Sequence, residues 1–160
     1  MSIKNNKKLE QLSILSMEQE AYKRKEIKVK ANGEEYSVCI DEKFKETEIA
    51  TIFTELVKRS EHAKKESLSF DITGHLLILL IKHFTDIQFQ ETGSISKDMD
   101  IEVRTLNALI NLGIFEQIVE QFDKAEVSRI SEMIKKHQKG LKAIANNIMA
   151  MELKSGEELV

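Results

Sequence analysis

The chain contains no proline among its 160 residues, and this absence limits the possible folds more than any other feature of the sequence. Proline is the residue that most often stops or kinks a helix, because it fixes φ and lacks a backbone donor. Hydrophobic residues make up 41% of the chain and charged residues 32%, a balance that suits a helical protein with one core and much wetted surface. We therefore expect long helices.

Apolar residues recur at helical spacing from about residue 45 onward. The stripe of the first helix consists of Ile49, Ile52, Phe53, Leu56 and Val57. Asp71 is the predicted N-cap of a second helix that runs to about Gln88. Its segment Leu76–Ile81 is apolar on every side, which predicts that this helix is the central one.

Three further helices are predicted after a polar loop at residues 90–97. The inward face of the third helix, which ends at Gly113, is Met99, Val103, Leu106, Leu109 and Ile110. A short helix covers Ile114–Phe122, and a pattern like a capping box at Asp123 and Glu126 starts the last one. Its inward positions are Val127, Ile130, Ile134, Leu141, Ile144 and Ile148. The predicted fold class is mainly α, a compact bundle of about five helices with a small N-terminal β-hairpin.

The hairpin is predicted at residues 27–40, where apolar and polar residues alternate on both sides of Asn32-Gly33. Asn-Gly favours a two-residue turn because both residues tolerate positive φ. This turn places Val29 opposite Tyr36 and Ile27 opposite Val38 on one face. It also places Lys30 opposite Glu35 on the other face, and one register therefore satisfies both.

Three segments follow from these patterns. Residues 1–26 are predicted to form a basic, partly helical arm, with a short apolar stripe of Leu9, Leu12, Ile14, Leu15 and Met17. Residues 27–153 are predicted to form one helical domain that the hairpin opens, and residues 154–160 a frayed tail.

The common signatures of catalysis and of cofactor binding are missing from the sequence. The glycines never form a GxGxxG or Walker A motif, no HExxH occurs, and Cys39 is the only cysteine. His75 and His83 share a helix face but stand about 12 Å apart along the axis, too far for one metal ion. We therefore expect no catalytic residues, no cofactor and no metal site.

The charge distribution argues against a nucleic-acid or membrane partner. The net charge is only −3, although residues 1–30 carry eight basic and four acidic side chains. The longest apolar run, Leu76–Ile81, is too short to span a bilayer, and no long apolar region follows the basic start. An intracellular, soluble protein is expected.

A surface that binds another protein is the remaining expectation. The edge of the hairpin is one candidate, because an unpaired strand can accept a strand from a partner. The last helix is the other, because methionines suit adaptable contacts. The candidate binding residues are Lys28, Lys30, Glu35 and Ser37 on the hairpin, and Met133, Leu141 and Met149 near the C-terminal end.

Two stretches resemble a known family of phage proteins. One runs from Lys28 through the hairpin to Phe44, and the other combines Leu77–Asp86 with Leu106–Phe115. Over residues 27–150 the chain is similar to the tail assembly chaperones of siphophages and prophages of Gram-positive bacteria. The resemblance implies binding to the tape-measure and tail tube proteins in the host cytoplasm. A homo-oligomer is a separate expectation. Residues 1–26 depart from this pattern.

Two alternatives stay open. A phage or prophage regulatory protein that binds and modulates a host protein, for example an anti-defence protein, would have the same non-enzymatic character. A small cytosolic enzyme without a recognisable motif is the third hypothesis, and a cleft with convergent groups of perturbed pKa would favour it.

Overall fold

A computed structural model describes residues 7–133, 135 and 136. Its elements, in chain order, are α1 (Gln11–Ala21), β1 (Arg24–Ala31), β2 (Glu34–Asp41), α2 (Glu46–Lys65), α3 (Ile72–Phe84), α4 (Ile95–Asn111) and α5 (Ile114–Gln121). Residues 124–133 are also helical and are called α6 here. The predicted fold class is confirmed, since the chain is mainly α with a two-stranded antiparallel hairpin near its start.

The hairpin has the predicted turn and register. Asn32 has φ +56° and Gly33 has φ +79°, the pair of positive values that a tight Asn-Gly turn needs. Val29 pairs with Tyr36, Ile27 with Val38 and Lys30 with Glu35. The strands extend beyond the predicted ends on both sides, since Arg24 pairs with Asp41.

Tyr36 differs from the expectation for the apolar face of the hairpin. Val29, directly opposite, is buried, whereas 48% of Tyr36 is exposed. The reason is that α5 packs on β1. The helix therefore covers β1 and leaves the part of β2 next to the turn, which includes Tyr36, open to solvent.

Helix α3 is central, as the apolar segment predicted, and it contacts both α2 and α4. Leu76, Ile78, Leu79 and Ile81 are buried in it. The predicted end at Gln88 is wrong, because α3 stops at Phe84. Thr85 instead forms a β-bridge with Ile40, and the Asp86 N–H donates to the carbonyl oxygen of Cys39 at 3.0 Å.

Helix α4 begins at Ile95, inside the predicted loop, where Ser94 caps its first turn. Its inward face was predicted only in part. The buried positions are Met99, Glu102, Leu106 and Leu109, while 48% of Ile110 is exposed. Its end agrees with the prediction, since Gly113 has φ +73° directly after the last turn.

Three phenylalanines join the hairpin to the helices that follow it. Phe44, just after β2, stacks on Phe84 at 4.0 Å between ring centroids and meets Phe122 edge-on at 5.1 Å. All three rings are buried. This cluster closes the core where α3 and α5 end.

The chain divides into two compact units, Met1–Asp123 and Lys124–Val160. In the second unit, Ile130 is buried, as its inward position predicted, and Arg129 pairs with Glu126 at 2.6 Å. The other predicted inward positions from Ile134 onward, and residues 154–160, lie outside the described residues. The domain boundaries at 27 and 153 stay predictions. Over residues 7–133, 135 and 136, no helix has both the length and the hydrophobicity needed to cross a membrane.

Candidate protein-binding surfaces

Helix α1 has more exposed large apolar side chains than any other described element. No residue of α1 is buried. Five large apolar side chains on or just before it are 47–79% exposed: Leu9, Leu12, Ile14, Leu15 and Met17. A helix of 11 residues is marginal in water by itself, so these side chains make α1 a candidate surface for a partner.

Two contacts of Lys45 tie α1 and the residue that follows it to the rest of the unit. Lys45 Nζ lies 3.5 Å from Glu18 Oε1, and the same ammonium stands 5.8 Å from the centre of the Tyr22 ring. Helical spacing puts Leu12 and Leu15 on one side of α1. Ile14 and Met17 lie on the other side, so both sides of the helix offer apolar contacts.

The four hairpin residues predicted to bind a partner lie together on the outer face of the hairpin, and all are exposed. Lys28 Nζ donates to Ser37 Oγ at 2.6 Å and to Glu26 Oε1 at 2.8 Å. Lys30 pairs in register with Glu35. The sequence predicted that these four side chains share one face of the hairpin, because the strand register alone determines it.

The two edges of the hairpin are blocked at one point each, which the sequence did not indicate. On β1, the Lys30 N–H donates to Gln117 Oε1 and the Gln117 amide donates to the Lys30 carbonyl oxygen, both at 2.8 Å. On β2, the Cys39 N–H donates to Asp86 Oδ1 at 2.9 Å, and its carbonyl oxygen accepts from the Asp86 N–H. Between the turn and Cys39, the edge of β2 has no such backbone contact within the described part of the chain.

The three C-terminal candidates are less informative. Met133 is half-buried in the second unit. Leu141 and Met149 lie outside the described residues. The prediction that this end of the chain binds a partner therefore stays a prediction.

A buried network of charges links α2, α3 and α4, and sequence reasoning missed it. Arg59 Nη1 lies 2.5 Å from Glu102 Oε2, and Lys82 Nζ lies 3.2 Å from Glu102 Oε1. The Glu102 side chain is only 3% exposed and that of Arg59 only 10%. The close contact is an ion pair without hydrogen-bond alignment, since Glu102 Oε2 has no hydrogen-bond partner.

The two histidines of α3 have opposite environments. Arg59 Nη1 stands 3.2 Å from His75 Nδ1, and because arginine only donates, that nitrogen must accept. Burial, helped by the charge of Arg59, lowers the pKa of His75. His83 lies between two carboxylates, with Nδ1 2.9 Å from Glu48 and Nε2 3.0 Å from Glu55. If both carboxyl groups are ionised, both ring nitrogens must donate, so this geometry favours the imidazolium form.

The bridge at His83 changes the pKa of its own groups. The hydrogen bond to Glu55 raises the pKa of His83; partial burial opposes this, and the hydrogen bond to Glu48 adds to it. The same hydrogen bond holds the pKa of Glu55 below its usual range, with burial again opposing. The bridge joins α2 to α3, so its strength should depend on pH.

We expect the stabilisation by His83 to decrease as the pH rises. The folded pKa lies above the ordinary 6.5, so the contribution is complete below that value and is lost as the pH rises through the folded pKa. The free energy of unfolding lost in His83→Gln should be larger at about pH 6 than at about pH 9, by about 1 kcal/mol. Urea denaturation at both pH values measures this difference.

His62→Gln is a matched control, because His62 contacts the uncharged hydroxyl of Ser96 at 2.8 Å. Its effect on stability should change less between the two pH values. An effect of His83→Gln that does not vary with pH would contradict the charged bridge.

A cleft of about 190 Å³ opens beside the buried network. Its charged lining consists of Glu55, Lys58, Arg59, Lys82, Asp98 and Glu102. Hydrogen bonds from Thr92 hold the pKa of Asp98 low, as His83 does for Glu55. A general acid needs a pKa raised towards neutrality, and these two carboxyls are shifted the opposite way. Among the described residues, no group of three or more His, Cys, Asp or Glu side chains could hold a metal ion.

The comparisons with known proteins give one family. No curated protein and no solved structure matches the chain. A family model described as YomO matches residues 12–159, so nearly all of α1 lies within the matched region. The name is of a type used for phage and prophage proteins, as in SPbeta-like Bacillus phages, and indicates a phage-associated protein. Because the match covers far more than half of its length, the chain belongs to the YomO family.

Proposed function

We propose that this protein is a tail assembly chaperone, a non-enzymatic protein that binds the tape-measure and tail tube proteins while a phage tail is built. The observation that carries this proposal is the exposed apolar surface of α1, which has no buried residue. Membership of a family with a phage-type name supports it. The resemblance of residues 27–150 to tail assembly chaperones supplies the identity of the partners. Helix α1 lies in the arm of residues 1–26, which departs from that resemblance, so it supplies the binding surface and not the likeness to the family.

The size of α1 suits reversible binding. A helix of 11 residues is about 16 Å long, so one of its sides offers far less area than a permanent interface buries. Full burial of a fully exposed leucine contributes about 1.5–3 kcal/mol. Leu12 is 79% exposed and Leu15 52%, so the two together supply part of a modest affinity. A chaperone needs such an affinity, because the tail tube subunits must later replace it on the tape-measure protein.

Recovery of the tagged full-length protein from phage-producing cells tests this proposal. We expect tape-measure and tail tube proteins to be recovered with it. The double substitution Leu12→Asp and Leu15→Asp should reduce that recovery at least about tenfold, because it puts two charges into the apolar contact. Mass spectrometry of the recovered proteins, with equal amounts of tagged protein, measures the change.

The matched control is Ile110→Asp with Leu112→Asp. These two side chains are about half exposed, as Leu15 is, but they lie at the end of α4. Recovery of tail proteins should stay near that of the native sequence, and circular dichroism should show that both double variants are folded. Recovery of a host protein without tail proteins would contradict the chaperone proposal and favour a regulatory protein instead.

A further inference from the structure

The open edge of β2 has two residues whose backbone groups point away from β1. In an antiparallel pair, the outward N–H and C=O groups belong to every second residue. The contacts of Lys30 with Gln117 and of Cys39 with Asp86 show which residues these are. The same alternation makes Glu35 and Ser37 outward-facing on β2. Within the described part of the chain, no hydrogen bond to their backbone groups is found.

We propose that β2 pairs with β2 of a second copy of this chain, antiparallel, about a twofold axis at Tyr36. In this register Glu35 of one copy lies opposite Ser37 of the other. Their N–H and C=O groups form two hydrogen bonds at each such pair, and therefore four in all. The next outward residue, Cys39, is already bonded to Asp86, so the pairing ends there. This inference does not depend on the chaperone proposal.

The outer face of β2 is complementary to itself in this register. In each copy, the ammonium group of Lys28 donates a hydrogen bond to Ser37 Oγ at 2.6 Å. Glu35 of the second copy would lie beside that serine, within reach of the ammonium group. On its other side the same glutamate has Lys30 of its own hairpin. Each row across the four strands therefore has one carboxylate, Glu35, with an ammonium group on either side, an arrangement that stabilises neighbouring strands.

The opposite face places the two copies of Tyr36 against each other. The ring is 48% exposed in the single chain, although its partner Val29 is buried. Residues opposite each other at a pair without hydrogen bonds are the closest across two strands. Two tyrosines at this position make an aromatic contact and cover each other. A second copy is the occupant whose hairpin supplies both the complementary charges and the facing ring.

The contact is small, so the expected dimer is weak. Four hydrogen bonds and two rings bury less than the roughly 1,200 Å² of a standard interface. We expect a dissociation constant on the order of 100 µM, measured by sedimentation equilibrium of the full chain at several concentrations. A chain that stays monomeric up to about 1 mM would overturn the proposal.

Charge substitutions at Tyr36 test the register. Tyr36→Lys should weaken the dimer at least about tenfold, because two ammonium groups then lie directly opposite each other, and Tyr36→Glu should do the same with carboxylates. A mixture of the two variants should associate again, since each lysine then meets a glutamate. The matched control Tyr22→Lys changes the other tyrosine and should leave the dimer unchanged. Two single variants that dimerise like the native chain would overturn the proposal.

A disulfide gives an independent test of the axis. In a Cys39→Ser background, Tyr36→Cys should form a covalent dimer under mild oxidation, because the Cα atoms of such a pair are about 4.5 Å apart. The control Leu68→Cys, an exposed site away from the hairpin, should form little. Equal cross-linking at residue 68 would show random collision and overturn the proposal.

Discussion

Replacing Glu102 with leucine is expected to lower the free energy of unfolding by about 3–5 kcal/mol. That is a large part of the total free energy of unfolding of a domain of this size. The carboxylate neutralises Arg59, whose side chain is 10% exposed and reaches from α2 to α4. Without Glu102 the guanidinium stays buried next to the ring nitrogen of His75. Among the residues that the structure describes, its remaining carboxylate partner is the more distant Glu55, at 3.9 Å. Lys82 contributes less to the loss, because its side chain can turn towards solvent.

Two further variants separate a buried charge from a lost contact. The double variant Arg59→Met with Glu102→Leu should regain most of the stability, because it removes both charges and fills the space with apolar atoms. Asp100→Leu is the matched control, since Asp100 also pairs with an arginine, Arg104, but both side chains are exposed. It should change the free energy of unfolding by less than about 1 kcal/mol. Urea denaturation of all three variants measures the series, and a loss below about 1 kcal/mol for Glu102→Leu would contradict the argument.

The sequence predicted the hairpin in detail because its signals are local. Asn32 and Gly33 define the turn, and from there the alternation of side chains allows only one register in which both faces agree. The central position of α3 was also predictable, because a helix that is apolar on all sides must be covered on most of them. Neither inference needs any knowledge of distant residues.

The buried charges carried a signal that periodicity alone could not interpret. Arg59 lies three residues after Leu56, and Glu102 lies three residues after Met99 and four before Leu106. Both therefore occupy positions of the inward stripe. When one helix is considered by itself, a charged residue at an inward position is assigned to the border of the solvent-exposed face. For this reason Ile110 was predicted to face inward and Glu102 was not. Only the arrangement of α2 and α4 around α3 shows that the two charges meet.

The blocked edges of the hairpin had no local signal at all. Gln117 is 87 residues from Lys30, and Asp86 is 47 residues from Cys39. An amide or a carboxylate in these positions looks like any other polar surface residue in the sequence. For the same reason, the extended residues Thr85 and Asp86 were predicted as helix, because their strand partner lies far away in the chain.

Replacing Phe44 with alanine is expected to destabilise the first unit by about 3–5 kcal/mol, as removal of a fully buried aromatic ring does. The ring is 1% exposed and contacts Phe84 face to face and Phe122 edge to face. Phe84 ends α3 and Phe122 follows α5, so one side chain after β2 holds three parts of the unit together. The space left by the ring cannot collapse easily, because its neighbours belong to different elements.

The position of Phe44 also predicts which amides lose protection. Hydrogen exchange of the β2 amides should become faster in Phe44→Ala than that of the α3 amides, because the ring fastens the end of the hairpin to the helices. Phe44→Leu keeps much of the volume and should lose less, about 1–2 kcal/mol, while the exposed control Leu68→Ala should lose less than about 0.5 kcal/mol. If Phe44→Ala loses no more stability than Leu68→Ala, the ring does not join these elements. If β2 and α3 exchange equally faster, the loss of stability is global and the hairpin has no separate attachment at this residue.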